Sequence, residues 1–412
     1  MIKDGTIRYR TQPPSPFTNH DFFFIELFMQ SHLAAIHITA FFLALFFPGF
    51  TQISLAAPPL IVVEGIESYQ AGLHLELLED TSTTLTFAEI ISNPYPFETS
   101  TSASPGFGLT KVAMWGKITL ENSLDHALHY YLVIDYPPLD YIDFYYPVQS
   151  TSGQIIYKQY NTGDFRPYDT RPIKTRSYAF PVDIPSKGQT TYYFRIQTSG
   201  SLNIPISLQS PQFFTEEYGF TQTIFGIYYG ILLVMIVYMT FLFLTLKDKT
   251  YLYYVLFVVC FLGFQFSLNG TGFQYFWPTQ TWWNNRSIPA CIFGGYLFAN
   301  LFAQHILNTK KHTPTLHKWI NAIIPCTALG IIISLTMPYA ISIKVAVLAF
   351  LTLPFIIVAG VRIMLRGYRP AFYYTLAWSI SLLGISIFSL KTLGILPNIF
   401  ITTWSTQIGT SW

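Results

Sequence analysis

The sequence predicts a mixed fold, in which an antiparallel β-sandwich of jelly-roll type is followed by an α-helical transmembrane bundle. Three observations support this prediction. Short strand-like runs fill residues 60–214, six apolar segments of membrane-spanning length follow them, and the composition is 51% hydrophobic with only 11% charged residues. Soluble domains carry about 25% charged residues. The composition is therefore typical of a membrane protein.

The charge balance excludes nucleic acid as a partner. The formal net charge is +2, and no block of Lys and Arg offers a patch that could follow a phosphate backbone. Cys260, Cys291 and Cys326 all lie in apolar runs. They indicate neither a disulfide framework nor a thiolate metal site, so no cofactor is predicted.

Residues 1–57 are predicted to be an N-terminal extension followed by a signal peptide or an uncleaved anchor. The apolar stretch 33–57 ends in small residues, as secretory signals do. Cleavage is the favoured interpretation, with translation starting at Met1 or at Met29. The alternative is an anchor whose preceding basic residues stay inside the cell.

Residues 58–215 are predicted to form the β-sandwich. Runs such as 112–122 ("VAMWGKITLEN") are strand-like, and turn-forming residues separate them. Within this run Met114 and the alternate residues after it share one face of a strand, whereas Trp115 and Lys117 share the other. One face is expected to pack in the core and the other to reach solvent.

Residues 220–412 are predicted to form the membrane bundle. Six segments are apolar and close to the roughly 20 residues that a helix needs to cross a bilayer core. These are residues 221–246, 251–268, 287–307, 319–338, 341–363 and 371–393. Polar residues inside them, such as Gln265, Asn300 and Gln304, are expected to bond neighbouring helices.

The loop charges predict the orientation of the bundle. If the sandwich lies outside, the outer loops hold essentially Arg286, and Lys391 lies close to the outer end of the sixth span. The inner loops then hold Lys247, Lys249, Lys310, Lys311, Lys318, Arg362, Arg366 and Arg369. Because cytoplasmic loops are enriched in Lys and Arg, this asymmetry places the sandwich on the outer side.

Residues 226–278 carry three groups of residues that point to one family. They are Gly226 with Tyr228-Tyr229-Gly230, the turn Lys247-Asp248-Lys249, and the loop Asn269-Gly270-x-Gly272-Phe273-Gln274-Tyr275-x-Trp277-Pro278. This stretch resembles the bacterial seven-transmembrane receptors with diverse intracellular signalling modules, 7TMR-DISM.

The N-terminal half is similar to the second type of extracellular domain in that family. The similar stretches include 114–122 ("MWGKITLEN"), 134–147 ("IDYPPLDYIDFYYP") and 162–182. The resemblance covers about residues 70 to 400. It implies a periplasmic sandwich that binds small ligands such as carbohydrates, in a multi-pass protein of the bacterial inner membrane.

The chain departs from the family pattern in two places. Gly116 stands where the family usually has a bulkier residue. At the other end, residues 404–412 ("WSTQIGTSW") resemble the entry to a seventh span, and the chain ends there. Members of the family complete that span and continue into an output module such as a diguanylate cyclase, a histidine kinase or a phosphatase.

No catalytic motif is present, so the chain is predicted not to be an enzyme. The spacing of His305, His312 and His317 does not place two ligands on one helix face, and no metal site is predicted. The candidate ligand-binding residues are Trp115, Lys117, Arg166, Arg171 and Arg176. An aromatic plane can stack on a sugar ring while cationic groups bond its hydroxyl or carboxylate groups.

An alternative for these candidates also stays open. In it Trp115 belongs to the core, and the arginines pair with Asp164, with Asp169 or with the membrane surface.

The predicted function is that of an inner-membrane sensory receptor. It would bind a small periplasmic molecule and relay a conformational change through the helices to a cytoplasmic effector absent from this chain. Its expected partners are that ligand, the bilayer, the effector and a second copy in a homodimer. Three alternatives stay open: the sensor half of an interrupted diguanylate cyclase or histidine kinase, a transporter or channel, and a nonfunctional truncated product.

Overall fold

A computed structural model describes residues 57–151, 153–349, 353–392, 396 and 400–411 of the protein. The predicted signal segment up to residue 56, both candidate start residues and Trp412 lie outside these ranges. The described chain is β-rich up to Gln209 and helical from Pro211 onward.

The β-rich part contains two sheets that share one core. The strands are β1 (Leu60–Val62), β2 (Ser68–Gln70), β3 (Leu75–Asp80), β4 (Glu98–Thr99), β5 (Gly106–Leu109), β6 (Ala113–Asn122), β7 (Leu128–Ile134), β8 (Tyr141–Gln149), β9 (Ile155–Thr162), β10 (Tyr178–Ile184), β11 (Gln189–Gln197), β12 (Ser201–Asn203) and β13 (Ile206–Gln209). The seven-stranded sheet has the order β4-β3-β6-β11-β8-β9, with β1 parallel to β6, and the four-stranded sheet has the order β10-β7-β13-β2. Strands β12 and β5 form a separate pair.

Alternation along the strands builds the core, as the sequence predicts. Met114, Ile118 and Leu120 of β6 point inward and are buried with residues of both sheets. Across the core, the rings of Phe144 and Phe180 stack at 4.3 Å. The antiparallel β-rich fold of the N-terminal half is therefore confirmed.

The neighbouring strand explains why residue 116 is a glycine. Gly116 pairs with Phe194 of β11, and a Cβ at position 116 would lie 2.0 Å from the Phe194 ring. The large ring of the neighbouring strand thus fills the space that a bulkier residue at 116 would need.

The helical part follows without a separate linker. Its helices, numbered after α1 (Phe87–Ser92) of the sandwich, are α2 (Pro211–Leu246), α3 (Lys249–Leu268), α4 (Thr271–Tyr275), α5 (Thr281–Ile306), α6 (Thr309–His312), α7 (Pro314–Thr336), α8 (Tyr339–Ala349), α9 (Leu353–Met364), α10 (Arg369–Thr392) and α11 (Phe400–Thr410).

Helix α2 begins one residue after the last strand. The Ser210 side chain accepts a hydrogen bond from the Phe213 amide, and Pro211 occupies the first helical position, so both residues favour a helix start here. Residues 213–220 therefore belong to the first turns of α2. At 1.5 Å per residue its 36 residues span about 54 Å. That exceeds the roughly 30 Å of a hydrocarbon core, so the first turns extend beyond the lipid.

Four helices in the described ranges are long and apolar enough to cross a membrane: α2, α3, α7 and α10. They coincide with four of the six predicted spans. Helix α5 covers the third predicted span and has 26 residues, but it is less apolar and buries Asn284, Asn285 and Asn300. The fifth predicted span contains α8 and α9, and residues 350–352 between them lie outside the described ranges.

The helix ends that contact the sandwich are those predicted to lie outside. Pro278, between α4 and α5, accepts a hydrogen bond from the Tyr168 amide. Gly200 lies so close to Tyr339, at the start of α8, that a Cβ there would be 3.0 Å from its ring. Lys247 ends α2 at its far end from the sandwich. The arrangement agrees with the orientation read from the loop charges.

The last helix packs among the others. The Thr410 side chain lies 2.8 Å from the hydroxyl of Tyr228 in α2, which also accepts a hydrogen bond from Gln265 of α3. Ser381 of α10 donates to the Gly409 carbonyl. Buried polar groups thus connect α2, α3, α10 and α11.

Candidate functional site

The outer face of the seven-stranded sheet carries the residue that the sequence singled out first. Trp115 points away from the core and lies between Leu78 of β3 and Arg195 of β11, its partners on the adjacent strands. It is nevertheless 0% exposed. Its burial has a local cause, because the segment that contains α1 lies over this face.

Phe87, the first residue of α1, lies against an aromatic wall. Its ring stacks on Tyr145 at 4.1 Å and 5°, and Trp115 lies 6.4 Å away. Tyr157 and Tyr193 approach Phe87 edge-on at 5.1 and 5.5 Å. We call these five residues the aromatic cluster.

An open cavity of about 850 Å³ adjoins the aromatic cluster. Thr83, Leu85 and Thr86 line it on the side of the α1 segment. Its charged lining residues are Asp143, Lys158 and Arg195. The cavity therefore combines flat aromatic surface with charged groups at its wall.

Asp143 lies between two guanidinium groups. Arg166 Nη1 is 2.7 Å from Asp143 Oδ1, and Arg195 Nη1 is 4.0 Å from Oδ2. Arg195 also donates to the Thr83 carbonyl at 2.8 Å, which ties the sheet to the α1 segment. With Lys158 exposed nearby, positive charge exceeds negative charge around the cavity.

Lys117 shares the outer face with Trp115 but does not line the cavity. Its ammonium pairs with Glu76 at 2.9 Å and lies 5.4 Å from the Phe97 ring. The candidates predicted from the sequence thus divide. Trp115 lines the cavity, Arg166 supports it through Asp143, and Lys117 belongs to a neighbouring ion pair.

Arg171 lies elsewhere, at the contact between the sandwich and the helices. It is 2% exposed and donates to the carbonyls of Thr175 and Arg176 at 2.7 and 2.6 Å. Its guanidinium faces the rings of Tyr178 at 4.3 Å and, in α4, Phe273 at 5.8 Å. Arg171 therefore links the sandwich to a membrane-side helix.

Arg176 makes a second link of the same kind. It pairs with Asp135 at 3.0 Å, and its guanidinium lies 5.2 Å from the Phe225 ring of α2. Together with Tyr168, Phe273 and Pro278, these residues form what we call the junction. Arg171 and Arg176 thus do not line the cavity, and the structure does not bring all five candidates together.

Two buried carboxylates lie beside the junction. Burial and the charge of Asp140 raise the pKa of the Asp164 carboxyl well above its ordinary value, and Arg171 opposes this shift. Burial also raises the pKa of Asp140, against hydrogen bonds from Ser199 and Thr198. Asp164 Oδ1 has no hydrogen-bond partner within the described ranges.

Three aspartates that lie close together in the sequence each bond a side chain of the sandwich. Asp135 pairs with Arg176, Asp140 accepts from Ser199, and Asp143 pairs with Arg166. In the part of the chain that the structure describes, no three His, Cys, Asp or Glu side chains are placed to hold a metal ion.

Comparison with known families agrees with this two-part arrangement. Residues 72–210 match the family model described as 7TMR-DISM extracellular 2. Residues 221–412 match the model described as 7TM diverse intracellular signalling. The chain belongs to the 7TMR-DISM family. No curated protein matches it.

The resemblance read from the motifs is thereby confirmed, including the type of extracellular domain. In this 7TMR-DISM chain the two matched parts are separated by residues 211–220. Those residues are the first turns of α2, where Phe214 packs with Val133 and Ala179 of the sandwich. The family boundary falls inside the contact between the two parts.

Sequence reasoning missed several residues of the 7TMR-DISM cavity, namely Phe87, Tyr145, Tyr157 and Arg195. Alternation along β8 places Asp143 and Tyr145 on one face, and alternation along β11 does the same for Tyr193 and Arg195. That signal was available, because both runs read as strands. No sequence pattern pointed to Phe87, since only the tertiary structure places α1 over the sheet.

Proposed function

We propose that this 7TMR-DISM chain is a sensory receptor of the bacterial inner membrane. Its sandwich lies in the periplasm and captures a small molecule, and its helices relay the resulting change to a cytoplasmic effector. The observation that carries the proposal is the junction. Arg171 and Arg176 connect the sandwich directly to rings on α4 and α2.

The proposed topology has six complete spans and the start of a seventh. α5 and the pair α8 and α9 supply the two spans that hydropathy alone does not mark. The polar residues of α5 face protein rather than lipid, since Asn284, Asn285 and Asn300 are buried. Buried polar groups are compatible with a span when neighbouring helices surround them.

The proposed ligand site is the cavity beside the aromatic cluster. The family resemblance suggests a carbohydrate, and stacking on an aromatic wall suits the flat face of a sugar ring. Of the residues predicted from the sequence, Trp115 and Arg166 remain candidates for this site. Lys117 lies at its margin, whereas Arg171 and Arg176 are proposed to act in relay.

The relay requires a ligand that binds one arrangement of the helices more tightly than another. Two routes lead from the sandwich to the helices besides the contact of Arg176 with Phe225. One is covalent, because β13 is joined to α2 through Ser210 alone. The other is the packing of Arg171 and Tyr168 on Phe273, with rings of Tyr168 and Phe273 perpendicular at 6.0 Å.

The test uses the full chain in detergent and a panel of monosaccharides, amino acids and organic acids. We expect at least one compound to raise the melting temperature, since a ligand that binds only the folded state stabilises it. Amide hydrogen exchange then compares the free and bound chain. Protection should change in the first turns of α2 and in α4 as well as in the sandwich.

Two pairs of variants control this test. Trp115→Ala should abolish the thermal shift, whereas Trp282→Ala, at an exposed position on α5, should keep it. Arg176→Gln should keep ligand binding but remove the exchange response in α2. Arg286→Gln, whose contacts are with Trp282 and Leu335, should keep both the binding and the response. Binding without any exchange response in the helices would contradict the relay.

A further inference from the structure

An aromatic ring of the protein itself already occupies the wall of the cavity. Phe87 makes a nearly parallel stack on Tyr145 at 4.1 Å, and Tyr157 and Tyr193 present their edges to it. The wall around Phe87 thus accommodates one flat six-membered ring. A ligand ring that stacks on this face of Tyr145 would take the place of Phe87.

The segment that carries Phe87 is held mainly by polar contacts. The Asp80 carboxylate accepts hydrogen bonds from the amides of Thr83 and Leu85 at 2.9 and 3.1 Å. Thr86 and Glu89 form a capping box at the start of α1. Within α1 only Ile90 is buried, while Phe87 is half-buried. Phe87 and Ile90 supply the apolar contacts that the segment would lose if it moved, and a ligand ring in place of Phe87 would restore the stack on Tyr145.

The polar groups around the ring favour a negative charge. Arg195 and Lys158 both line the cavity, and Arg166 already neutralises Asp143. In addition, the buried Nε1 of Trp115 donates no hydrogen bond to any residue in the described ranges. A carboxylate would supply acceptors for the guanidinium and for this indole group.

From these contacts we infer that the site takes a small aromatic carboxylate, which replaces Phe87 on Tyr145 and lifts α1 from the sheet. This inference rests on the proposed function and specifies its ligand class. Phe87 is then an internal competitor. In the free protein it keeps α1 over the sheet, and the bound ring releases α1 together with the Arg195 contact to Thr83.

A puckered sugar fits this part of the site less well. Its hydroxyl groups surround the ring, so each would need a polar partner in a space that Tyr145, Tyr157 and Tyr193 enclose on several sides. Buried hydroxyls without partners are costly. An aromatic acid places its only polar group at one end, on the side of the cations.

The experiment measures binding of benzoate and of benzamide, its neutral counterpart, to the full chain in detergent by calorimetry. Benzoate is expected to bind about 10-fold more tightly, because a charge-assisted hydrogen bond is the stronger one. Phe87→Ala should raise the affinity for both compounds by about 10-fold, since the internal competitor is gone. Arg195→Gln should remove the preference for benzoate.

Matched variants keep the result interpretable. Ile91→Ala lies on the exposed side of the same helix and should leave both affinities unchanged. Phe87→Leu retains apolar volume without the planar stack and gives the same test if the alanine variant is unstable. Lys158→Gln, at an exposed site, should weaken benzoate alone and provides a second measure of the charge preference.

Equal affinities for benzoate and benzamide, or weaker binding by Phe87→Ala, would overturn the inference. If a neutral sugar such as D-glucose binds wild type more tightly than benzoate does, the aromatic carboxylate is wrong and the receptor proposal stands. If no compound in the wider panel raises the melting temperature, the receptor proposal itself fails.

Discussion

The cavity and the junction both depend on arginine, but they use it in different ways. At the cavity, Arg166 and Arg195 share the side-chain carboxylate of Asp143 beside open space. At the junction, Arg171 is buried and bonded to backbone carbonyls and aromatic rings. Arg166 and Arg195 also donate to backbone carbonyls, so the two regions differ in their surroundings: open space adjoins the first pair, whereas rings enclose Arg171. We propose recognition at the cavity and mechanical connection at the junction.

The largest effect is expected from a substitution that breaks the junction. Arg171→Met should destabilise the full chain by about 3 to 5 kcal/mol, because buried carbonyls of Thr175 and Arg176 lose their donor. Arg166→Gln, at the cavity, should cost about 1 kcal/mol because its ion pair is partly exposed. Chemical unfolding in detergent compares the two. Equal losses would mean that the two regions do not differ in this way.

A smaller effect is expected where the junction requires a glycine. Gly270 has a φ of 73°, and a Cβ there would lie 2.8 Å from Pro137 of the sandwich. Gly270→Ala should therefore cost about 1 to 2 kcal/mol from the left-handed backbone and about 1 to 3 kcal/mol from steric overlap. Unfolding of the full chain measures the sum.

Gly108 provides the matched control for this substitution. Its φ is 62°, and a Cβ there would meet no atom within 4 Å. Gly108→Ala should show only the backbone cost. If it destabilises the chain as much as Gly270→Ala does, then close packing of α4 on the sandwich contributes nothing.

The smallest expected effect depends on pH. Since the pKa of Asp164 is raised in the folded state, its contribution to stability is present below its unfolded pKa of about 4 and is lost as pH rises through the folded value. Asp164→Asn should thus melt above wild type at pH 7, and the difference should shrink toward pH 4. Thermal melts across this range measure it.

Other charged or titratable groups affect Asp164 as well. Asp140 raises its pKa and Arg171 lowers it, and the charge of Asp164 in turn acts on Tyr178 and Tyr339. Asp169→Asn, at an exposed carboxylate five residues further along, serves as the control. Parallel profiles for wild type and Asp164→Asn would show that burial of Asp164 has no linked effect on folding.

Much of the sandwich and part of its site could be predicted from local pattern. Alternation along 112–122 correctly separated the core face of Met114 from the outer face of Trp115. The same run left Trp115 open to two interpretations, and its role in ligand binding stays a prediction. Trp115 is buried, and it lines the cavity, because α1 covers the outer face.

The arginine group shows where local pattern fails. Arg166, Arg171 and Arg176 lie within eleven residues, so they looked like one cluster. The chain turns sharply between them, with Arg166 returning to Asp143 and Arg171 reaching Phe273 about a hundred residues later. Contacts between residues so far apart in sequence cannot be predicted from the spacing of residues within either segment.

The sequence by itself determined the order of the two parts, the strand periodicity, the apolar helices, the charge asymmetry of the loops and the family. All of these are local, because they follow from burial of one strand face and from the length and charge of each segment. Only the tertiary structure decided that Phe87 fills the aromatic wall and that Arg171 belongs to the junction. Those assignments depend on which distant surfaces meet, and that is settled by packing across the whole molecule.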